Sequence, residues 1–600
     1  MAIKLPIGID DFKKIRESDF YYVDKTKLIE KLINNCGKVN IFTRPHCFGK
    51  SLNMSMLKCF FGIGTDTSLF DDLYISNNKE LCEKYLGKYP VISLTLKDIE
   101  GLNFNEALSN FVELIGHEAN RFEFLLDSDR LSSNDKERYG SLIVLNNGKY
   151  SMDKRTLVNS LELLSSLLHK HYNQRVIILI DEYEVPLHKA FNNGYYDEMV
   201  SLIMSMYANA LKGNEALEFA VLTGCLRLPQ KIIYGGFNNF RYLSILDSRF
   251  NDSFGFTENE VKELLAYYNQ DDYFEETKKW YDGYRFGDVD IYCPWDVISY
   301  VDLLNISSNK TPQSFWINTS SNDLVKRFIY MADKTTRDDI ERLVVGEVIE
   351  KEVHLELTYD EIDNSIDNLW SVLFTTGYLT QVGVSDNGYY KLKIPNEEIR
   401  TVYKKQIREW FNTTIQEDSN NLNKLWDDFK NSNCEEIENY LNKTLDNTIS
   451  IFDTKSHDGK KEYAYHMFLT GVLSTNPNWI VKSNIESGDG LADIIIETDN
   501  YDSGIVVEIK HSLTYDGLND SCLEAINQIK DKRYDTYLRN EERNDILIYG
   551  IAFCKKRCKV VVEKLWNKLA GQALILLNKH DVINRKMNNL IFNKHLSIVR

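Results

Sequence analysis

An α/β protein of several domains, with a mainly parallel sheet in its first half, is predicted from three observations. Short apolar runs at Val39 to Phe42, Val91 to Leu96, Val176 to Ile180 and Phe219 to Thr223 are separated by helix-length segments, the pattern of a parallel sheet with crossover helices. Gly49-Lys50-Ser51 follows the first run closely, and Asp181-Glu182 follows the third. A second alternation of apolar runs and helical segments returns at 460–553, and 600 residues exceed what one core holds.

A net charge of −18 argues against a protein that coats nucleic acid generally, but leaves room for a local basic site. The end of the chain is basic and points to a polyanion nearby. The ten cysteines are scattered, and the closest pair, Cys554 and Cys558, has no partner pair at zinc-ligand spacing, so reduced thiols are expected. Met1 to Asp11 lacks the basic start, apolar core and cleavage site of a signal peptide. No apolar run approaches the ~20 residues that span a bilayer, so the expectation is a soluble cytoplasmic protein with no membrane partner.

In chain order, Asp24 or Thr26 reads as a helix cap, or alternatively Phe20 to Thr26 closes over a nucleotide base. Thr43 to Leu52 reads as a phosphate-binding loop. Backbone N–H groups wrap the phosphates, Lys50 reaches the outer ones, Ser51 ligates Mg²⁺, and the following helix points its positive end at the anion. The usual spacing asks for glycine at 44, where this chain has Arg44 and then Pro45. Asp181 and Glu182 end a buried-strand run, where ligands gather at the carboxyl end of a parallel strand. In an ATPase Asp181 would hold the Mg²⁺ shell and Glu182 would orient or deprotonate the attacking water; both acids can also be plain helix caps. Thr223 is a candidate γ-phosphate sensor, with Arg227 beside it, although Thr223-Gly224 is also a plain turn. Trp280 to Gly287, dense in aromatics and glycine, is either a packed turn or the source of a cation, Arg285, for the phosphates.

Residues 1 to about 300 resemble the AAA-ATPase-like family that occurs fused to a PD-(D/E)XK nuclease-like domain. The resemblance rests on Leu5-Pro6-Ile7-Gly8, Tyr22-Val23-Asp24-Lys25-Thr26, Arg44-Pro45 with Phe48-Gly49-Lys50-Ser51-Leu52, Ile180-Asp181-Glu182-Tyr183, Thr223-Gly224 and Trp280-Tyr281-Asp282-Gly283-Tyr284. In that family the loop begins with Arg-Pro. The resemblance implies ATP and Mg²⁺ as cofactors, with Arg44, Pro45, Phe48, Gly49, Lys50, Ser51, Asp181, Thr223, Arg227 and Arg285 on the nucleotide side and Glu182 as the catalytic carboxylate. His46 and Cys47 stand where the family places arginines.

Residues 301–412 form a helical lid and winged-helix-like region: a helical stretch to about 352, a helix at Ile362 to Thr376, strands Tyr378 to Val384 and Tyr389 to Ile394 around an Asp386-Asn387-Gly388 turn, and a helix opened by Pro395-Asn396. Residues 413–450 are an acidic, Asn-rich helical connector.

The second constellation occupies 451–560, before a basic tail at 561–600. Asp493 lies in one strand, while Glu508 and Lys510, two apart in the next, share a face. Two carboxylates and an ammonium in an apolar sheet are costly unless they pair or bind metal. The physical fit is metal-assisted phosphodiester hydrolysis: Asp493 and Glu508 hold Mg²⁺ or Mn²⁺, Glu462 completes the shell, and Lys510 and Gln528 position the water or stabilise charge on the phosphate. A purely structural ion pair of Lys510 with Glu508 or Asp493 is the alternative. Asp493, Glu508-x-Lys510, Gln528 and Tyr534 resemble the PD-(D/E)XK nuclease superfamily in the order it uses; Leu491 stands where relatives of the fused type carry arginine. Residues 555–559 either touch a nucleic-acid backbone or form a solvated edge.

The expectation is a DNA nuclease that depends on ATP or is regulated by it, with nucleic acid, DNA first, and further copies of the chain as partners. The alternative is a nucleotide-driven switch whose nuclease-like fold only binds a nucleic acid or protein.

Overall fold

The structure is a computed structural model that describes residues 3–35, 37–227, 240–316, 323–417, 419–447 and 459–565. Most of the expected basic tail therefore lies outside the described residues. Contacts divide the chain into two units, 1–331 with 346–403, and 332–345 with 404–600.

The first unit is built on five parallel strands: β1 (Val39–Thr43), β2 (Val91–Thr95), β3 (Val176–Asp181), β4 (Leu217–Gly224) and β5 (Phe240–Leu243), in the order β2-β3-β4-β1-β5. Every residue of β3 is buried, which is why its sequence is an unbroken apolar run. The edge strand β5, Phe-Arg-Tyr-Leu, is half-buried and offers no such run. Register sets Thr43 opposite Gly224 and Thr95 opposite Asp181, so the functional ends of the strands lie at one edge. Helix α1 (Lys50–Phe61) starts at Gly49, whose φ of +79° is left-handed.

The Trp280 to Gly287 stretch is a packed joint. Gly283 has φ +94°, and a Cβ there would lie 2.1 Å from the carbonyl oxygen of Pro395. Asn396 donates to the Asp282 carbonyl at 2.8 Å, and the Arg285 N–H donates to Thr380 Oγ1 at 3.0 Å. Beside this joint, helix α2 (Pro294–Ile306) carries Asp296 toward Glu398, at the start of the helix that begins at Glu397. Both acids are fully buried; burial and then Asp296 push Glu398 up to about 10. The middle region pairs helix α3 (Ile366–Thr375) with an antiparallel sheet of β6 (Ile349–Lys351), β7 (Thr380–Val384) and β8 (Tyr390–Lys393).

The second unit holds helix α4 (Gly459–Leu473) and the sheet β9 (Ile480–Ser487), β10 (Gly490–Glu497), β11 (Ser503–His511), β12 (Asp545–Cys554) and β13 (Arg557–Leu565), paired in that order. Only β11 and β12 are parallel; the connection between them contains helix α5 (Leu518–Asp531). Tyr534 lies past the end of α5, and Arg557 to Leu565 add an edge strand beyond the alternation expected at 460–553.

Residues 555–559 are not a bare basic edge. Lys556 pairs with Glu341 of the helix Lys334–Val344 at 3.0 Å, and Arg557 and Lys559 pair with Asp446 and Glu438 of the helix Cys434–Asn447 at 2.7 and 2.9 Å. No helix among the described residues is long and apolar enough to cross a membrane.

Candidate active sites

The phosphate loop departs from the usual pattern in how it bends. Its left-handed residues are Cys47 (φ +67°) and Gly49, so the turn does not need glycine at 44. Arg44, expected on the nucleotide side, turns its side chain into the core. Its guanidinium donates to the carbonyls of Thr43 and Leu243 at 2.8 Å and of Phe250 at 3.2 Å, between the rings of Phe254 and Phe286. Burial pulls its pKa down to about 9. Phe48 is likewise core, edge-on to Tyr284 at 4.9 Å, and Pro45 contributes its carbonyl to Lys50.

Lys50 is buried, with its ammonium donating to the carbonyls of Arg44 and Pro45 at 3.2 and 3.1 Å and to Cys225 Sγ at 3.2 Å, and pairing with Glu182 at 3.4 Å. Burial alone would lower its pKa; Cys225, Glu182, Glu184 and Asp181 outweigh that and raise it. Ser51 hydrogen-bonds Asp181, whose other partner is the hydroxyl of Thr223. The structure thus brings together Lys50, Ser51, Asp181, Glu182 and Thr223 from the loop, β3 and β4. Ser51 and Asp181 offer the hard oxygen ligands that Mg²⁺ takes.

Glu182 sits at φ +54°, an uncommon conformation for a residue with a side chain. Burial raises its pKa, but Lys50 and His46 outweigh this and hold the carboxyl below its ordinary range. Its Oε2 is buried without a hydrogen-bond partner. Two neighbours, Glu184 and Cys225, escaped the sequence reading, and His46 entered it only as a departure from the family's arginine. Glu184 is buried, accepts the Cys225 N–H at 2.5 Å, and is pushed well above the carboxylate range by burial, Cys225 and Glu182. His46 and Cys225 complete the surroundings of Lys50. Arg227 pairs with Glu356 and stacks on Tyr242 at 4.1 Å, lining a cavity of about 640 Å³ that Thr43 and Cys225 also line. Arg285 pairs with Asp290 of its own hairpin at 3.1 Å.

Asp24 accepts from the N–H and hydroxyl of Thr26, and Tyr22, Val23 and Lys25 line a narrow cavity of about 70 Å³ beside Gly49 and Leu52.

In the second unit, continuing the β10–β11 register past Ile494–Val507 sets Asp493 opposite Glu508. Asp493 Oδ2 accepts the Ile509 N–H at 2.8 Å. Glu508 is 2% exposed, with Lys510 Nζ at 3.5 Å and an amide hydrogen bond from Gln528 on Oε1. Its Oε2 is buried without a hydrogen-bond partner. Burial, then Asp493, pushes Glu508 up to about 8; burial also raises Asp493. Gln528 donates in addition to Tyr534 at 3.2 Å. Glu462 rides on α4, but its side chain lies outside the described residues. The same helix brings His466, buried and hydrogen-bonded through Nε2 to the Asp493 carbonyl at 2.9 Å, which the sequence reading missed. Leu491 is 58% exposed, two residues before Asp493 on the same strand face.

The comparisons agree with this layout. Residues 6–234 match the family model described as a predicted AAA-ATPase, and residues 460–563 match that of the PD-(D/E)XK nuclease superfamily. A protein of Azotobacter chroococcum mcd 1, named "Uncharacterized protein in vnfD 5'region", is 25% identical over 410 residues, 66% of this chain and 68% of its own length. With both domains matched and each site assembled within its own domain, the chain is a fusion of an AAA-ATPase-like domain with a PD-(D/E)XK nuclease superfamily domain.

Proposed function

We propose that the protein is an ATP-dependent or ATP-regulated nuclease that hydrolyses DNA phosphodiester bonds with Mg²⁺. The observation that carries this reading is Glu508: a carboxyl 2% exposed, opposite Asp493, with one oxygen unpartnered and its pKa pushed up to about 8. A buried acid pair of this kind is incomplete without a cation. Asp493 and Glu508 would hold the metal, with Glu462 or His466 available on α4. When bound, Mg²⁺ supplies charge that stabilises the phosphate and lowers the pKa of its water. Lys510 would supply a positive charge to the phosphate, and Gln528 keeps Glu508 oriented while its link to Tyr534 fixes the amide.

On the ATPase side, Lys50 would leave the loop carbonyls for the β- and γ-phosphates, Glu182 would take the proton of the attacking water, and Thr223 would sense the γ-phosphate through Asp181. Segment 20–26 would open to admit the base, because its cavity is far below the ~300 Å³ of an ordinary ligand pocket. Arg227 and Arg285 are held by Glu356 and Asp290, so an arginine from a further copy of the chain is the proposed charge at the γ-phosphate.

The second reading, a nucleotide-driven switch whose nuclease fold only binds, is favoured by the ion pairs that occupy Lys556, Arg557 and Lys559. The deciding experiment incubates the protein with linear and circular DNA, with and without ATP and Mg²⁺, beside Asp493→Asn and Lys50→Ala. Cleavage by the wild type that Asp493→Asn abolishes supports the nuclease; equal cleavage by both ends it. ATP binding lost in Lys50→Ala without any cleavage supports the switch.

A further inference from the structure

His46, Glu182 and Cys225 come from three separate parts of the first unit, the phosphate loop and the ends of β3 and β4, yet each offers one ligand atom and these atoms lie within 4.8 Å of one another. An imidazole, a carboxylate and a thiol are a donor set for a borderline-soft divalent ion such as Zn²⁺, not for Mg²⁺. The ammonium of Lys50 stands among them, 3.2 Å from Cys225 Sγ and 3.4 Å from Glu182 Oε1. The place is therefore already built for a positive charge, and the group filling it is on a flexible stem whose task in a phosphate loop lies elsewhere. Glu182 keeps a buried oxygen without a hydrogen-bond partner. Glu184 accepts the Cys225 N–H at 2.5 Å and so fixes the backbone that carries the sulfur. Cys225 is 2% exposed but lines the cavity of about 640 Å³, which gives an ion a route in.

We propose that His46, Glu182 and Cys225 form a binding site for a thiophilic divalent cation, Zn²⁺ in the first instance, which the ion enters when Lys50 moves to nucleotide phosphates. On binding, Cys225 gives up its thiol proton to water and its sulfur bonds the metal. Lys50 cannot serve the metal ligands and the phosphates at once. ATP, by drawing Lys50 away, vacates the metal site, and the metal, by displacing Lys50, frees it for ATP. Each therefore strengthens the binding of the other. The ion also takes Glu182, so ATP is held and not hydrolysed. This last step rests on the reading of Glu182 as the group that activates water; the site itself does not.

The test uses the full chain with Co²⁺ as a spectroscopic probe and Zn²⁺ as the effector, in the presence and absence of ATP. A cobalt–thiolate charge-transfer band is expected, stronger with ATP, lost in Cys225→Ser, and requiring about tenfold more Co²⁺ or beyond in His46→Ala. Circular dichroism of each variant checks that it is folded. Co²⁺ in the Asp493–Glu508 site has no sulfur ligand there and gives no such band. Zn²⁺ should stop ATP hydrolysis while the amount of bound ATP stays level or rises. Absence of the band in the wild type, or a band that survives Cys225→Ser, overturns the site. Displacement of ATP by Zn²⁺ overturns the mutual strengthening. A thiolate band with the expected variant behaviour, in a protein that hydrolyses no ATP even without Zn²⁺, leaves the site standing and removes the assignment of Glu182.

Discussion

Replacing Glu508 by glutamine should stabilise the metal-free protein and disable it together, and the gain should grow with pH. The carboxyl has an ordinary value of 4.5 and is pushed up to about 8 in the fold, by burial first and by Asp493 second. At about 1.4 kcal/mol per pH unit, ionising Glu508 inside the fold costs about 5 kcal/mol more than in an unfolded chain. The sign follows from proton counts. Below about pH 4.5 folded and unfolded chains both carry the proton; between there and about pH 8 only the folded chain does, so stability falls as pH rises across that window and then levels. Glutamine has no proton to lose, keeps the shape, and removes that slope. Relative to wild type, Glu508→Gln should gain about 4 kcal/mol between about pH 5 and pH 8.

The assay is urea unfolding in a chelator at several pH values, comparing the transition that the substitution moves. Adding Mg²⁺ should narrow the gap by stabilising the wild type, because the ion binds the ionised acid that the variant lacks. A gap that stays flat with pH would refute the buried-acid argument, as would a variant that is less stable at every pH. In either case Glu508 would be a satisfied structural residue, and the ion pair with Lys510 at 3.5 Å would be its role.

Glu182→Gln should keep ATP binding and cut hydrolysis by about 10²-fold or more. Because Glu182 holds Lys50 at 3.4 Å in the free protein, ATP affinity should rise in this variant, measured by calorimetry; loss of ATP binding to the level of Lys50→Ala counts against the assignment. Gly283→Ala should destabilise the first unit by about 3 kcal/mol or more, because a Cβ would press on the Pro395 oxygen at 2.1 Å with φ at +94°. A thermal unfolding midpoint unchanged from wild type would show that the joint is slack. Glu398→Gln should remove the proton that the buried Glu398 keeps in the fold and, by the same linkage as above, flatten the loss of stability that the wild type shows as pH rises from about 4.5 toward about 10. An unchanged pH profile would mean that Glu398 keeps no such proton.

What could be read from the sequence was whatever leaves a local pattern. Asp181 and Glu182 stood out because they end an unbroken apolar run, and Glu508 and Lys510 because charges two apart inside such a run share a face. Glu184, Cys225 and His466 leave none. Glu184 reads as the cap of the helix Val185–Asn193, Cys225 as a lone small residue, and His466 as one more core position between Tyr465 and Phe468. Their proximity to the site depends on where β3, β4 and α4 are brought by the fold. The strands β5 and β13 were missed for a related reason, since edge strands alternate burial and carry charge where a central strand does not. Arg44 was given the wrong direction: beside a phosphate loop an arginine suggests an anion, but the rings that box it, Phe254 and Phe286, come more than two hundred residues later.

That direction explains why Arg-Pro can open this loop. In the usual pattern, glycine at the first position lets the chain turn sharply after the strand. Here β1 continues its ladder one step further, the Arg44 N–H reaching the Gly224 carbonyl at 2.9 Å, and the left-handed turn is deferred to Cys47 and Gly49. The guanidinium fastens the end of β1 to the carbonyls of Leu243 and Phe250, so the entry to the loop is held by the core and not by its own flexibility. A loop fixed at its entry can leave Lys50 resting on the Arg44 and Pro45 carbonyls without collapsing. Phosphate then has to exchange two carbonyl partners, the Cys225 sulfur and one carboxylate for several anionic oxygens. The ammonium is charged in every one of these contacts, and Cys225 and Glu182 do most to hold it, so both set the cost of moving Lys50. The residue assigned to activate water is thereby also one of the two that restrain the lysine until nucleotide arrives.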